Sequence, residues 1–271
     1  MRAAVLGSPI AHSLSPVLHT AGYAALGLEG WTYDRVELVA AELPGFLAGL
    51  DAAWRGLSLT MPLKEACLEV ADEVTPLAAR AGVGNTLVRS APVGWVAHNT
   101  DVPGLVDALR PAWRDGWTRA AILGAGATAR SAVLALAELG VREVTSYARA
   151  SGRAAGLRDW AGVAAPEVVV RTAPLEEWSS GPEPVVLSTL PGGAADGFAL
   201  AGAREGLLFD AVYAGWPTPL AGRAAAAGMA VVGGLDLLVH QAARQFTLFT
   251  GRPAPVEAMF AAGRAALEVG R

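Results

Sequence analysis

The residues with the clearest chemistry are Gly124-Ala125-Gly126-Ala127-Thr128-Ala129, which lie between the apolar run Arg119–Leu123 and a long Ala/Leu stretch. Gly-x-Gly-x-x-Ala between a strand and a helix is the spacing that admits a dinucleotide. Gly124 permits the tight turn, Gly126 lets the backbone approach a pyrophosphate, and Ala129 lets the helix pack closely on the sheet. The helix N-terminus adds free N–H groups and positive dipole for the phosphates. A plain strand–helix turn in a chain this rich in Gly and Ala would be spelled with the same letters. The next strand ends Tyr147-Ala148-Arg149-Ala150, with Arg153 close behind. An NAD site usually carries Asp or Glu there, whereas an arginine fork suits a 2′-phosphate. These arginines point to NADP; two solvated surface arginines are the alternative. Ser13 and Ser15 are alternate residues, so an extended backbone would turn both hydroxyls to one side, although Ser15 also suits a helix cap. His12, His19, His98 and His240 show no metal-ligand spacing with a cysteine or carboxylate set, so no metal is expected.

The elements that would position these groups alternate along the chain. Residues 3–6 read as a short buried strand that stops at Gly7. Ser15-Pro16 suits a helix start. Residues 32–38 read as a strand, 42–50 as a helix and 56–60 as a strand closed by Pro62, with further short signals as far as 85–89. Residues 102–109 read as a connecting helix. Strand, glycine loop and helix follow, and residues 143–147, 168–171, 184–189, 207–212 and 229–232 read as further strands. The last two helices are expected from about Asp236 to Gly251 and over residues 255–267. The pattern predicts an α/β protein of two lobes separated by a cleft. The substrate lobe would be residues 1–101, with a mainly parallel sheet, completed by the C-terminal helices 237–271. The Rossmann-like dinucleotide lobe would be residues 102–236.

With 271 residues, 53% of them hydrophobic and 17% charged, the chain can bury two ordinary cores. A net charge of −4 suggests neither a nucleic-acid nor an anionic-membrane partner. No stretch reads as a membrane span, and the N-terminal apolar run is too short for a signal peptide. The single cysteine, Cys67, fits a reducing compartment, and a cytoplasmic location is expected.

Several separated motifs together resemble the shikimate dehydrogenase family over nearly the whole chain. They are Gly7-Ser8-Pro9-Ile10-Ala11-His12-Ser13-Leu14-Ser15-Pro16 with His19, Leu59-Thr60-Met61-Pro62-Leu63-Lys64, Gly84-Asn85-Thr86, and Asn99-Thr100-Asp101 with Gly104. The glycine loop and arginines follow, then Ser188-Thr189-x-Pro191, Asp210-x-x-Tyr213, Thr218-Pro219-Leu220, and Gln241-Ala242-Ala243 with Phe246 and Gly251. The resemblance implies NADP-dependent interconversion of 3-dehydroshikimate and shikimate, in the route to aromatic amino acids. It implies Lys64 and Asp101 as the catalytic pair. It implies Ser13 and Ser15 on the substrate carboxylate, Thr60, Asn85 and Gln241 on ring hydroxyls, and Tyr213 lining the site. Toward the cofactor it implies residues 124–129, Arg149, Arg153, Thr189, Val212, Gly234 and Leu237. Ketone reduction develops negative charge on the carbonyl oxygen, which a positioned ammonium stabilises. A carboxylate neighbour keeps that ammonium charged and in place. Whether Lys64 donates the proton or acts by its charge stays open, as does monomer against homodimer.

The chain departs from the family pattern in four places. Ser58 stands where Asn is frequent, Ala148 and Ala150 replace the polar neighbours of Arg149, Leu237 stands for Met, and Ala127 for a third glycine. An NAD-preferring quinate/shikimate dehydrogenase is the alternative reading. A non-catalytic sensor of the same fold is a remoter one, disfavoured by retention of Lys64, Asp101 and the glycine loop.

Overall fold

The computed structural model describes residues 1–178, 183–200 and 205–269. Contacts divide the chain into two units: residues 1–104 with the C-terminal stretch from Leu238, and Leu105–Leu237. The first holds β1 (Arg2–Gly7), α1 (Ser15–Ala25), β2 (Thr32–Glu37), α2 (Leu43–Ala48), β3 (Trp54–Leu59), α3 (Ala66–Glu69), β4 (Glu73–Val74), α4 (Pro76–Ala81), β5 (Thr86–Ser90) and β6 (Gly94–His98). α5 (Asp101–Leu109) leads into β7 (Arg119–Leu123), α6 (Ala127–Glu138), β8 (Glu143–Ala148), α7 (Ser151–Ala164), β9 (Val169–Pro174), β10 (Val185–Ser188), β11 (Leu207–Asp210), α8 (Pro219–Ala226) and β12 (Ala230–Gly233). The chain ends with α9 (Gly234–Thr250) and α10 (Val256–Val269).

The first sheet has the order β2-β1-β3-β5-β6-β4. β1 is parallel to β2 and β3, and β4 is parallel to β6, while β5 runs antiparallel to β3 and β6. β1 is apolar without alternation because both its faces are covered. Ala4 and Leu6 join Leu57, Leu59, Trp54 and Trp95 on one face. Ala3 and Val5 join Tyr23, Tyr33, Phe246 and Phe249 on the other. The aromatic side chains of α9 therefore close a core begun by α1 and β2. Burying a side chain such as Phe246, fully inaccessible here, stabilises by about 1.5–3 kcal/mol.

This topology gathers one edge of the sheet. β3 ends where β5 begins, with Ser58 opposite Thr86, and β6 ends there too, with Thr86 opposite His98. The segments after β3, before β5 and after β6 therefore meet, and they carry Lys64, Asn85 and Asp101. Leu6 of β1 pairs with Leu59, which brings the Gly7–Ser15 segment to the same edge.

The second sheet is wholly parallel, in the order β12-β11-β10-β7-β8-β9. The chain winds outward from β7 through β8 and β9, then returns to β10 on the other side of β7. The switch point therefore falls between β7 and β10, with the glycine loop after β7.

Two expected helix starts are corrected. α1 has Leu14, not Ser15, at its N-cap; Ser15 is the first helical residue and its hydroxyl is engaged elsewhere. α9 begins at Gly234, two residues before Asp236, whose carboxylate instead accepts the Gly233 N–H at 3.1 Å from the first turn. No helix among the described residues is long and apolar enough to cross a membrane.

Candidate active site

Lys64 and Asp101 form a close ion pair: Lys64 Nζ donates to Asp101 Oδ2 at 2.6 Å. Lys64 follows β3, and its own carbonyl accepts the Gly84 N–H at 2.8 Å. Asp101 opens α5, where the helix N-terminus favours a carboxylate. Asn99 Oδ1 secures that start by accepting the Val102 N–H at 3.0 Å. The lysine side chain is 15% exposed and the aspartate 6%, so the carboxylate is sealed in and the ammonium is reachable.

Asn85 couples this pair to its surroundings. Its Nδ2 donates to Asp101 Oδ1 at 2.9 Å and lies 3.3 Å from Gln241 Oε1. Its Oδ1 accepts from the Thr100 N–H at 2.8 Å and from the Thr86 hydroxyl at 3.0 Å. Gln241 Nε2 donates to Leu238 O at 2.8 Å. α5 and α9 can come this close because residue 104 is glycine: a Cβ there would sit 3.0 Å from Gln241 N and 3.1 Å from its Cα.

Ser13 and Ser15, both buried, place their hydroxyl oxygens 3.3 Å apart. The backbone between them is not extended as expected: Leu14 is helical, at φ −88° and ψ −4°. A turn, not a strand, brings the hydroxyls together. Thr60 follows β3, with its N–H on Leu6 O at 2.9 Å, and its hydroxyl makes no hydrogen bond among the described residues. Tyr213 lies half-buried three residues beyond β11, in the other unit.

A second layer escaped sequence reasoning. Tyr33 Oη donates to Ser58 Oγ at 2.6 Å, and Ser58 Oγ donates to Gln245 Oε1 at 2.7 Å. Gln245 Nε2 donates to Thr86 Oγ1 at 3.0 Å and to Asn85 O at 3.2 Å. Burial pushes the Tyr33 phenol up from its usual value, opposed by its bond to Ser58, so it stays neutral and can donate. One buried path thus joins Tyr33 to Asn85, and through Asn85 to Asp101 and Lys64. Ser58, one of the departures noted above, is an internal link in it. The available signal was Gln245, one helical turn after Gln241 on the same face of α9.

In the second unit Gly124 has φ +119°, and a Cβ there would collide with Thr189 Oγ1. That hydroxyl donates to Leu123 O at 3.0 Å, while Gly124 N donates to Tyr147 O at 2.8 Å. Gly126 is the N-cap of α6 and has open space where a Cβ would be. Ala125, Ala127 and Thr128 are partly exposed around it, and Ala129 is buried against the sheet. A bare helix start facing open space fits the pyrophosphate of a dinucleotide. Arg149 directly follows β8 and Arg153 lies in the first turn of α7; both are exposed, and neither makes an ion pair among the described residues. Val212 O accepts the Gly234 N–H at 3.3 Å. A Cβ on Gly234 would strike Ala211, so α9 starts tight against the segment after β11. Leu237 is buried in the first turn of α9. Asp210 beneath this segment has its carboxyl raised by burial, against the Thr218 hydroxyl that donates to it at 2.7 Å.

Residues 5–87 match the shikimate dehydrogenase substrate binding domain, and residues 234–262 match the shikimate 5′-dehydrogenase C-terminal domain. An NADP(+) shikimate dehydrogenase of Methylobacterium radiotolerans is 38% identical, over 92% of this chain and 91% of that one. The crystal structure of Mycobacterium tuberculosis shikimate dehydrogenase shares 45% identity at a TM-score of 0.87, covering 97% of this chain and 99% of that chain. A Thermus thermophilus shikimate 5-dehydrogenase solved with NADP(H) and shikimate shares 34%, with a TM-score of 0.84 over 98% of this chain and all of the other. On this similarity, end to end, and on the site it encloses, the chain belongs to the shikimate dehydrogenase family.

Proposed function

We propose that this chain is an NADP-dependent oxidoreductase that interconverts 3-dehydroshikimate and shikimate, as a step in aromatic amino-acid biosynthesis. The observation that carries this reading is the Lys64–Asp101 pair at 2.6 Å, with Asn85 bonded to the second carboxylate oxygen, in a chain of this family.

The cofactor supplies the hydride. The glycine loop, the start of α6 and Arg149 with Arg153 would hold it, the arginines on the 2′-phosphate; Thr189, Val212, Gly234 and Leu237 complete the proposed cofactor surface. Lys64 presents an ammonium to the carbonyl oxygen that becomes the alcohol and stabilises the charge developing there. Asp101 fixes that ammonium. Asn85 and Gln241 offer amide donors and acceptors to ring hydroxyls, with Thr60 beside them. Ser13 and Ser15 take the carboxylate, and Tyr213 lines the site. All these residues come from one chain, so the reading serves a monomer and a homodimer alike. The compartment proposed is the cytoplasm, in keeping with a lone cysteine that is free and buried.

The test is Lys64→Ala, assayed by NADPH absorbance in the direction of shikimate oxidation. Turnover should fall at least about a hundredfold, while shikimate binding measured by calorimetry persists, because the carboxylate is held elsewhere. Near-normal turnover in this variant would remove Lys64 from the mechanism.

A further inference from the structure

We propose that Arg35 is a specificity-determining residue for the substrate's carboxylate: it holds the serine pair in place and supplies the positive charge that two neutral hydroxyls lack. The inference rests on the reading that Ser13 and Ser15 bind that carboxylate.

Arg35 lies on β2, and its Nε and Nη2 both donate to the backbone carbonyl of Ser13, at 2.9 and 2.7 Å. An arginine fork ordinarily takes a carboxylate with these two donors. Here a neutral carbonyl takes both, and the positive charge is left uncompensated. The acidic residues of the same strand are committed elsewhere. Asp34 faces Arg2 at 3.7 Å, and Glu37, on the same face as Arg35, accepts the Ser8 hydroxyl at 2.9 Å. Arg35 itself makes no ion pair among the described residues. An unpaired cation is thus tied to the residue that carries one of two buried, adjacent hydroxyls.

Arg35 reaches the serine segment from β2 through the Ser13 backbone. That segment turns at Leu14 and lies in no strand, so the guanidinium is a fixing contact from the sheet, beside the Ser13 N–H on Ile10 O at 3.0 Å. An anion bound by the hydroxyls would gain from the guanidinium held on the Ser13 carbonyl; a neutral molecule of the same shape would gain only from the hydroxyl geometry.

The experiment compares shikimate with its methyl ester, as substrates with NADP, in wild type, Arg35→Gln, Arg35→Lys and Ser13→Ala. Arg35→Gln should raise the KM for shikimate about tenfold, leave kcat within about threefold, and raise the KM for the ester less than about threefold. Arg35→Lys, which keeps the charge and loses the fork, should fall between wild type and Arg35→Gln. Added salt should narrow the acid-over-ester preference of the wild type, because Arg35 is exposed. The acid-to-ester ratio is independent of the fraction of enzyme that is folded, so a destabilised variant still reports. Equal KM increases for acid and ester, a loss confined to kcat, or no change would each overturn the role of Arg35. If Ser13→Ala raises the shikimate KM while Arg35→Gln does not, only this inference falls. If Ser13→Ala leaves that KM unchanged, the carboxylate reading itself falls.

Discussion

At Asp101 the two carboxylate oxygens have separate partners, Lys64 on Oδ2 and Asn85 on Oδ1. Asp101→Asn keeps the shape but sets an amide NH2 against either the ammonium or the Asn85 donor, and it removes the charge that fixes Lys64. Its kcat should fall by about a hundredfold or more, and joining it to Lys64→Ala should cost little beyond the worse single change, because the two act as one unit. The check is kcat/KM for both single variants and the double; fully additive losses would mean that the residues act independently. At this scale the sequence motifs pointed to Lys64, Asp101, Asn85, Gln241 and the serines through their resemblance to a family, and the structure brings all six into one unit. The supporting layer was not legible. Ser58 and Gln245 are 187 positions apart, and Tyr33 and Ser58 are 25 apart. Only the pairing of β2, β1 and β3 and the return of α9 make them neighbours, and neither is a local property of the chain. Arg35 was hidden for a related reason: its partner is a backbone carbonyl, which leaves no mark in residue type.

Among the elements, α1 carries the least comfortable buried group. His19 is fully buried, stacked on Tyr33 with ring centroids 4.1 Å apart and planes 12° from parallel, and surrounded by Tyr23, Phe246 and Phe249. Burial lowers its pKa from 6.5 to about 3. The unfolded chain therefore binds a proton that the folded chain refuses. Stability from this group is complete above pH 6.5 and is lost progressively as pH falls toward 3, by on the order of a few kcal/mol. His19→Phe keeps an aromatic ring in the stack and removes that titration. The wild type should lose more melting temperature between pH 7 and pH 5 than the variant; parallel losses would contradict the assignment. The alternation of strands and helices was readable from buried apolar runs broken by Gly and Pro. β6 and β4 were not. β6 holds only Gly94–His98 with an exposed turn before it, and β4 holds two residues. Yet β5 and β6 are what bring Asn85 and Asp101 to the end of β3. At α1 the Ser15 hydroxyl accepts from Ser13 and does not cap the helix, whereas at α9 the Asp236 carboxylate takes the Gly233 N–H from inside the first turn.

On the scale of the whole molecule, contacts divide the chain into two α/β units. The second unit, proposed to hold the cofactor, was legible in outline from the glycine spacing after β7. Its selectivity rests on less, since Ala148 and Ala150 give Arg149 no polar neighbours in sequence and both arginines are exposed. A charge-assisted contact of this kind corresponds to about ten- to a hundredfold in affinity, and the lower end is expected here. The most direct test of the account is kcat/KM measured with shikimate and quinate, each with NADP and NAD, for the wild type and for Arg149→Ala. The wild type should favour shikimate with NADP over every other pairing, by about tenfold against NAD, and Arg149→Ala should lose NADP efficiency while its NAD efficiency stays nearly unchanged. A wild type that works best with quinate or NAD, or a variant that loses both cofactors equally, would contradict it.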